Sequence, residues 1–133
     1  MLTGRCQCGA VRYEINATPI DIYVCHCTEC RKQSSSAFGI SVIVPSDAVR
    51  IVAGKTKTWS RPTARGGQLE CSFCETCGSR ISHADPAEQT LSIKGGSLSP
   101  PIDLTRATHI WTRSKLPGVL IPADANSFEE EPG

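Results

Sequence analysis

No unbroken apolar run in this 133-residue chain reaches the ~18 residues that a membrane-spanning helix needs, so no membrane partner is expected. It also lacks a surplus of either charge: 14 Lys and Arg stand against 13 Asp and Glu, a formal net charge of +1. A dedicated nucleic-acid binder carries a strongly basic face, so no nucleic-acid partner is expected. The opening, MLTGRCQCGAVRYE, has no apolar stretch of the secretory kind, and a cytoplasmic location follows as the expectation. Internal repeats, low-complexity tracts and any long amphipathic helix are missing too. A chain of this length makes one domain and buries roughly two-thirds of its extended surface. It therefore has no need of cross-links as a substitute for a core.

Cross-linking residues are nonetheless abundant. Eight cysteines fall into three clusters: a CxC at Cys6 and Cys8, a CxCxxC at Cys25, Cys27 and Cys30, and a CxxCxxC at Cys71, Cys74 and Cys77. Thiols one or two residues apart are poor disulfide partners, because a disulfide needs Cα atoms roughly 4.4–6.8 Å apart with converging Cβ vectors. The same spacing suits a metal knuckle, and soft thiolates point to zinc, with an iron–sulfur cluster as the main competitor. Reducing cytosol would keep these thiols free for metal.

Eight thiols allow two closed four-cysteine sites, or one closed site, one three-thiolate site and a spare. A zinc closed by four cysteines is structural, whereas one with three protein ligands keeps a position for water or substrate. Cys25-His26-Cys27-Thr28-Glu29-Cys30 is a compact tripod and the natural open site. Spacing leaves open which outer clusters join. The simplest closed tetrahedron pairs Cys6 and Cys8 with Cys74 and Cys77.

Between the clusters the pattern is of short strands and turns, an all-β arrangement. Strands are expected over Ala10–Ile15, Ile20–Val24, Phe38–Val44, Gln68–Phe73, Leu91–Lys94 and Thr108–Arg113. Val49–Ala53 and Thr56–Ser60 flank Gly54-Lys55 as a hairpin. Cys27–Gln33 offers one or two helical turns. The tail after Pro122 ends in an acidic run and is expected to be a frayed, solvated terminus, which sets a domain over residues 1–122 and a tail over 123–133.

At this point the sequence resembles the glutathione-dependent formaldehyde-activating enzyme / centromere protein V family. The likeness is carried by Gly4-Arg5-Cys6-Gln7-Cys8-Gly9-Ala10-Val11-Arg12-Tyr13-Glu14, by CHCTECRK followed by Ser36-Ala37-Phe38, and by Phe73-Cys74-Glu75-Thr76-Cys77-Gly78-Ser79. Weaker matches, Gly95-Gly96-Ser97-Leu98 and His109-Ile110-Trp111, follow in the same order. The resemblance implies a single-domain, β-tent-like zinc fold with two zinc ions. It implies a structural zinc on Cys6, Cys8, Cys74 and Cys77, and a second, catalytic zinc held openly by Cys25, Cys27 and Cys30. The implied activity is a zinc-dependent carbon–sulfur lyase type, joining a small thiol such as glutathione to formaldehyde; the alternative is a non-catalytic zinc-stabilised binding module. The partner implied is a small thiol or thiol adduct. Ser35 stands where the family usually has Gly, Ser99 where Asp often stands, Gly118 where Trp often stands, and Cys71 is additional to the seven ligands.

Single residues carry their own expectations. Cys71 alternates with Leu69 and Phe73 and reads as a small buried hydrophobe. His26 reads as turned away from the metal, into solvent or toward a carboxylate. His83, beside Asp85-Pro86, reads as a loop residue, and His109 as a strand residue packing near Trp111. Arg31 and Lys32 either lower thiolate pKa values and attract an anionic thiol, or form a solvated turn. Lys55, Lys57, Arg61 and Arg65 with Trp59 read as a solvent-facing hairpin.

Overall fold

A computed structural model describes residues 1–63 and 65–132. Among the described residues, eleven short strands form two sheets, and the one α-helix is seven residues long. The smaller sheet holds β1 (Leu2–Arg5), β2 (Arg12–Ile15), β5 (Val49–Ala53) and β10 (Leu98–Ser99) in the order β10-β1-β2-β5. The larger runs β11-β3-β4-β9-β8-β7-β6, from β3 (Asp21–Cys25), β4 (Gly39–Pro45), β6 (Thr56–Pro62), β7 (Gln68–Cys74), β8 (Arg80–Ala84), β9 (Thr90–Lys94) and β11 (Thr108–Ile110). The ladders are antiparallel except β3 with β11. The fold is all-β, and no helix among the described residues is long and apolar enough to cross a membrane.

Alternation in β2 buries Tyr13 and Ile15 against Val42 and Val44 of β4, with Ile81, Ile93 and Leu98 completing the cluster. Cys6 and Cys74 belong to this same core, each 1% exposed. Half of the first cysteine cluster is thus set into this packing, while Cys8 and Cys77 stay exposed. Fully burying an aliphatic side chain contributes about 1.5–3 kcal/mol, so this cluster of Val, Ile and Leu is the main apolar source of stability.

The expected Gly54-Lys55 hairpin does not form. β5 pairs with β2 in one sheet, and β6 pairs along its whole length with β7 in the other. Gly54 is where the chain crosses between sheets: its φ is +81°, and a Cβ there would lie 2.2 Å from the Ala10 carbonyl oxygen. The close approach, not a hairpin turn, requires the glycine. β11 stops at Ile110 rather than Arg113, because Trp111 takes a left-handed φ of +57° and starts a 3₁₀ turn over Thr112–Ser114.

The tail is tied down rather than frayed. His109 N–H donates to Asn126, Phe128 N–H to His109, and Trp111 N–H to Glu130, so residues 126–130 run along β11. The Trp111 indole donates to Glu131, and Arg113 pairs with Glu130. The acidic run therefore has specific partners; Gly133 of that expected tail lies outside the described residues.

Candidate metal centres and the cavities beside them

Cys6 and Cys8 lie in the tight loop between β1 and β2, where Gly9 N–H returns to the Cys6 carbonyl at 3.1 Å. Cys74 ends β7, and Cys77 sits in the turn to β8 that Gly78 N–H closes on the Cys74 carbonyl at 2.9 Å. The two knuckles face each other, and the four Sγ atoms lie within 4.8 Å of one another. Cys6 and Cys8 sulfurs are 3.6 Å apart, Cys8 and Cys74 sulfurs 3.8 Å. A zinc tetrahedron with bonds of ~2.3 Å has sulfur–sulfur edges of about 3.8 Å, so the donor set fits. Backbone N–H groups of Val11, Thr76 and Cys77 point at Cys6 or Cys74 sulfurs at 3.3–3.5 Å, as thiolates accept them. Hydrogen bonding from Ser79 and then Cys8 lowers the Cys77 thiol to about 5.

The second cluster is local. Cys25 is the last residue of β3, Cys27 caps α1 (Thr28–Ser34), and Cys30 lies in its first turn. Cys27 takes the capping place usual for Ser, Thr or Asp: its sulfur accepts the Cys30 N–H at 3.3 Å. Glycine at residue 39 lets the helix sit close on β4; a Cβ there would meet Cys30 Cβ and Gln33 Nε2, each at 3.2 Å, and they would have to give by a few tenths of an ångström. The three Sγ atoms lie within 4.8 Å of one another, and no fourth Cys, His, Asp or Glu joins them among the described residues. Negative charge settles on Cys27, held down at about 2 by hydrogen bonds from Cys25 and Cys30 and from backbone N–H groups of Cys30 and Glu29. Sharing with Cys27, then Cys30, pushes Cys25 up. A preformed thiolate beside two further thiols is a donor set suited to a soft divalent ion.

His26 departs from expectation. It is fully buried, not solvent-facing, and bonds no carboxylate: its Nε2 lies 2.9 Å from Nδ1 of His109, with the rings stacked. Burial lowers the pKa of both. A neutral pair needs one N–H donor and one bare acceptor nitrogen, and His26 Nδ1 is left without a partner. The pair joins β11 to the residue that follows β3, the one between the tripod ligands Cys25 and Cys27. Arg31 has its Nε buried without a partner, so it is no solvated turn; Lys32 lines the smaller cavity described next.

Two cavities lie beside α1. The larger, about 820 Å³, opens beside the first cluster and is lined by Cys6, Cys77, Arg5, Ser34, Phe38 and Ser97 among others, and by none of the tripod sulfurs. The smaller, about 320 Å³, lies between α1 and the face of β6–β9. Gln33, Arg80 and Lys94 stand in the walls of both. The floor of the smaller one is a cross-strand row: Trp59 opposite Cys71, and Cys71 opposite His83. His83 is thus a strand residue of β8, not a loop residue, and Arg61 and Trp59 face a cavity rather than forming a purely solvated hairpin. Cys71 is 1% exposed, yet it lines this cavity and is absent from the main apolar cluster and from both metal-capable groups.

Lys94 is 8% exposed, and its Nζ lies 2.7 Å from His83 Nδ1. An ammonium only donates, so His83 accepts at Nδ1 and carries its proton on Nε2. Burial, then the charges of Lys94, Arg61 and Arg80, lower His83 to about 3. Burial lowers Lys94 to about 8, against the opposing pull of the Cys30 thiol. Neither residue is legible as a site residue in the sequence, since nothing marks one histidine of a short strand or one lysine before Gly-Gly.

The fold and its cysteines define a class: an all-β protein with two thiol clusters able to hold metal ions. The family model for glutathione-dependent formaldehyde-activating enzymes matches residues 1–114, and the chain belongs to that family. It is 38% identical over 76 residues to a Penicillium rubens protein named "Putative glutathione-dependent formaldehyde-activating enzyme". That match takes in 56% of this chain and only 39% of the relative, so the chain spans about two-fifths of the relative's length. A crystal structure of a Rhodobacter sphaeroides protein shares the fold, with a TM-score of 0.62 at 22% identity over 80% of this chain and 98% of that one.

Proposed function

We propose that the protein is a zinc-dependent enzyme of carbon–sulfur lyase type acting on a small thiol adduct, with two zinc ions. Cys6, Cys8, Cys74 and Cys77 would hold a structural ion. Cys25, Cys27 and Cys30 would hold the second, which supplies Lewis acidity for a thiol or carbonyl when bound. The single observation that carries this reading is the contrast between the clusters: four converging sulfurs in one, three in the other, and a cavity that Cys30 of the three lines. Membership in a family named for a glutathione-dependent activity supports a thiol as substrate.

The chain's own residues then have separable tasks. Cys27 fixes the geometry of the tripod through the helix cap. His26 and His109 hold the strand ends beside it. The larger cleft, of a volume usual for small-molecule sites, receives the thiol and its backbone. In the forward direction a sulfur–carbon bond forms, the carbonyl π bond opens, and the thiol proton ends on the new hydroxyl; the reverse direction is the cleavage. Cys30→Ser should leave a folded protein with one zinc and abolish adduct exchange. Exchange NMR of glutathione with formaldehyde, and of other small thiols with small aldehydes, reads this out. Exchange in every thiol–aldehyde mixture that matches the uncatalysed rate for wild type would refute it.

A further inference from the structure

The smaller cavity carries four cationic side chains, Lys32, Arg61, Arg80 and Lys94, against the single carboxylate of Glu29. Lys94 is the most enclosed of them, and its ammonium bonds a neutral imidazole. The ion pairs formed among the described residues, Arg50–Glu14 and Arg113–Glu130, leave it out. Taking an ammonium out of water carries a desolvation penalty that a counter-anion offsets. Besides Glu29, the cavity wall offers Lys94 only the sulfurs of Cys30 and Cys71, and a metal on the tripod would draw any charge on Cys30 onto itself. Arg80 lies over the Trp59 ring at 5.9 Å, which holds the guanidinium at the cavity wall. A neutral one-carbon aldehyde discharges none of these cations and leaves most of about 320 Å³ to water.

We propose that this cavity is the subsite for an anionic carbonyl substrate: a small aldehyde or ketone whose carboxylate or phosphate sits among Lys94, Arg61 and Arg80, with its carbonyl carbon toward Cys30. The inference rests on the thiol-adduct reading and names its second substrate. The step is a balanced addition: thiol sulfur bonds the carbonyl carbon, the π pair moves to oxygen, and the thiol proton neutralises it. The product is a hydroxy-thioether bearing the original anion, and no oxidant or reductant enters. Fork-shaped guanidinium groups suit the paired oxygens of either anion.

The test is direct binding, without thiol, to the protein loaded with two equivalents of zinc. Titration calorimetry and tryptophan fluorescence compare glyoxylate, glycolaldehyde phosphate and neutral glycolaldehyde. At least one charged carbonyl should bind tenfold or more tightly than glycolaldehyde, and the tighter of the two identifies the anion. Lys94→Gln should erase that preference while zinc content holds, and Arg106→Gln, remote from the cavity, should leave it intact. Should Lys94→Gln fail to fold, Arg61→Gln on the exposed edge strand β6 takes its place. Equal binding of all three carbonyls, or a full preference in folded Lys94→Gln or Arg61→Gln, would overturn the subsite. A tripod that responds to thiols without a charged-carbonyl preference sinks the subsite alone. A charged-carbonyl preference lost in Lys94→Gln, beside a tripod indifferent to every thiol, upholds the subsite and sinks the thiol-adduct reading.

Discussion

Cys27 shows how one residue serves two levels of structure at once. Its sulfur satisfies a helix N–H that serine would ordinarily take, and hydrogen bonds from Cys25 and Cys30, with the cap bond adding to them, lower its pKa. His26, next to it, has one nitrogen already unpartnered in the interior. His109→Ala would orphan the other, so a loss of about 1–3 kcal/mol is expected, along with faster chelation of the tripod's ion. His109→Gln, able to bond His26, should recover much of both; equal loss in the two variants would contradict the pairing. His83 gives a pH signature. Unfolded, its imidazole takes a proton near ~6.5; folded, near about 3. The unfolded state therefore binds more protons between these values, so stability falls as pH drops through that window, by about 1.4 kcal/mol per pH unit. Melting curves of wild type and His83→Gln between pH 7 and 4 should diverge accordingly. Parallel curves would show that His83 is not held neutral by the fold.

At the scale of elements, α1 is the piece that makes a site out of a sheet. It has no buried residue of its own and stays in place through its cysteine cap, its contact with Gly39 and, by the present account, its metal. Gly39→Ala should cost about 1–3 kcal/mol through overpacking and weaken metal retention at the tripod alone, as equilibrium dialysis would show. Unchanged retention would mean that the helix shifts freely. The helix ends at Ser35, whose φ of +51° lies in the left-handed region. Ser35→Gly should raise stability by roughly 1 kcal/mol, measurable by denaturant melts. The cysteine motifs were legible in the sequence because ligand spacing is local chemistry. β4, β5 and β7 were legible because alternation or β-branched runs mark them. The two sheets were not: the Gly54 crossing depends on Ala10 lying beside it, and pairing of β6 with β7 instead of β5 is a tertiary choice. β1, β8 and β10 are too short or too mixed for a period to show. Lys94 and His83 meet only because β8 and β9 pair, which no local pattern records.

For the molecule as a whole, the proposed reading divides the work of the two thiol clusters between folding and chemistry. The first joins residues 66 positions apart at Cys8 and Cys74 and sets Cys6 and Cys74 in the core, with Cys8 and Cys77 exposed. Structural zinc in small domains carries ~10–16 kcal/mol of apparent binding energy, so Cys74→Ser should be unfolded or insoluble; a soluble variant with a cooperative melt would contradict the assignment. The second joins the end of β3 to α1, with Cys30 in the wall of the smaller cavity, and its loss should leave the sheets standing. The central claim is that this second ion has a free position for a thiol. Cadmium-113 NMR of the protein loaded with two equivalents of cadmium observes each ion separately. The account predicts two resonances, of which one moves on addition of a small thiol and vanishes in Cys30→Ser, while the other stays fixed. Two resonances that both ignore every thiol in a panel led by glutathione would contradict it.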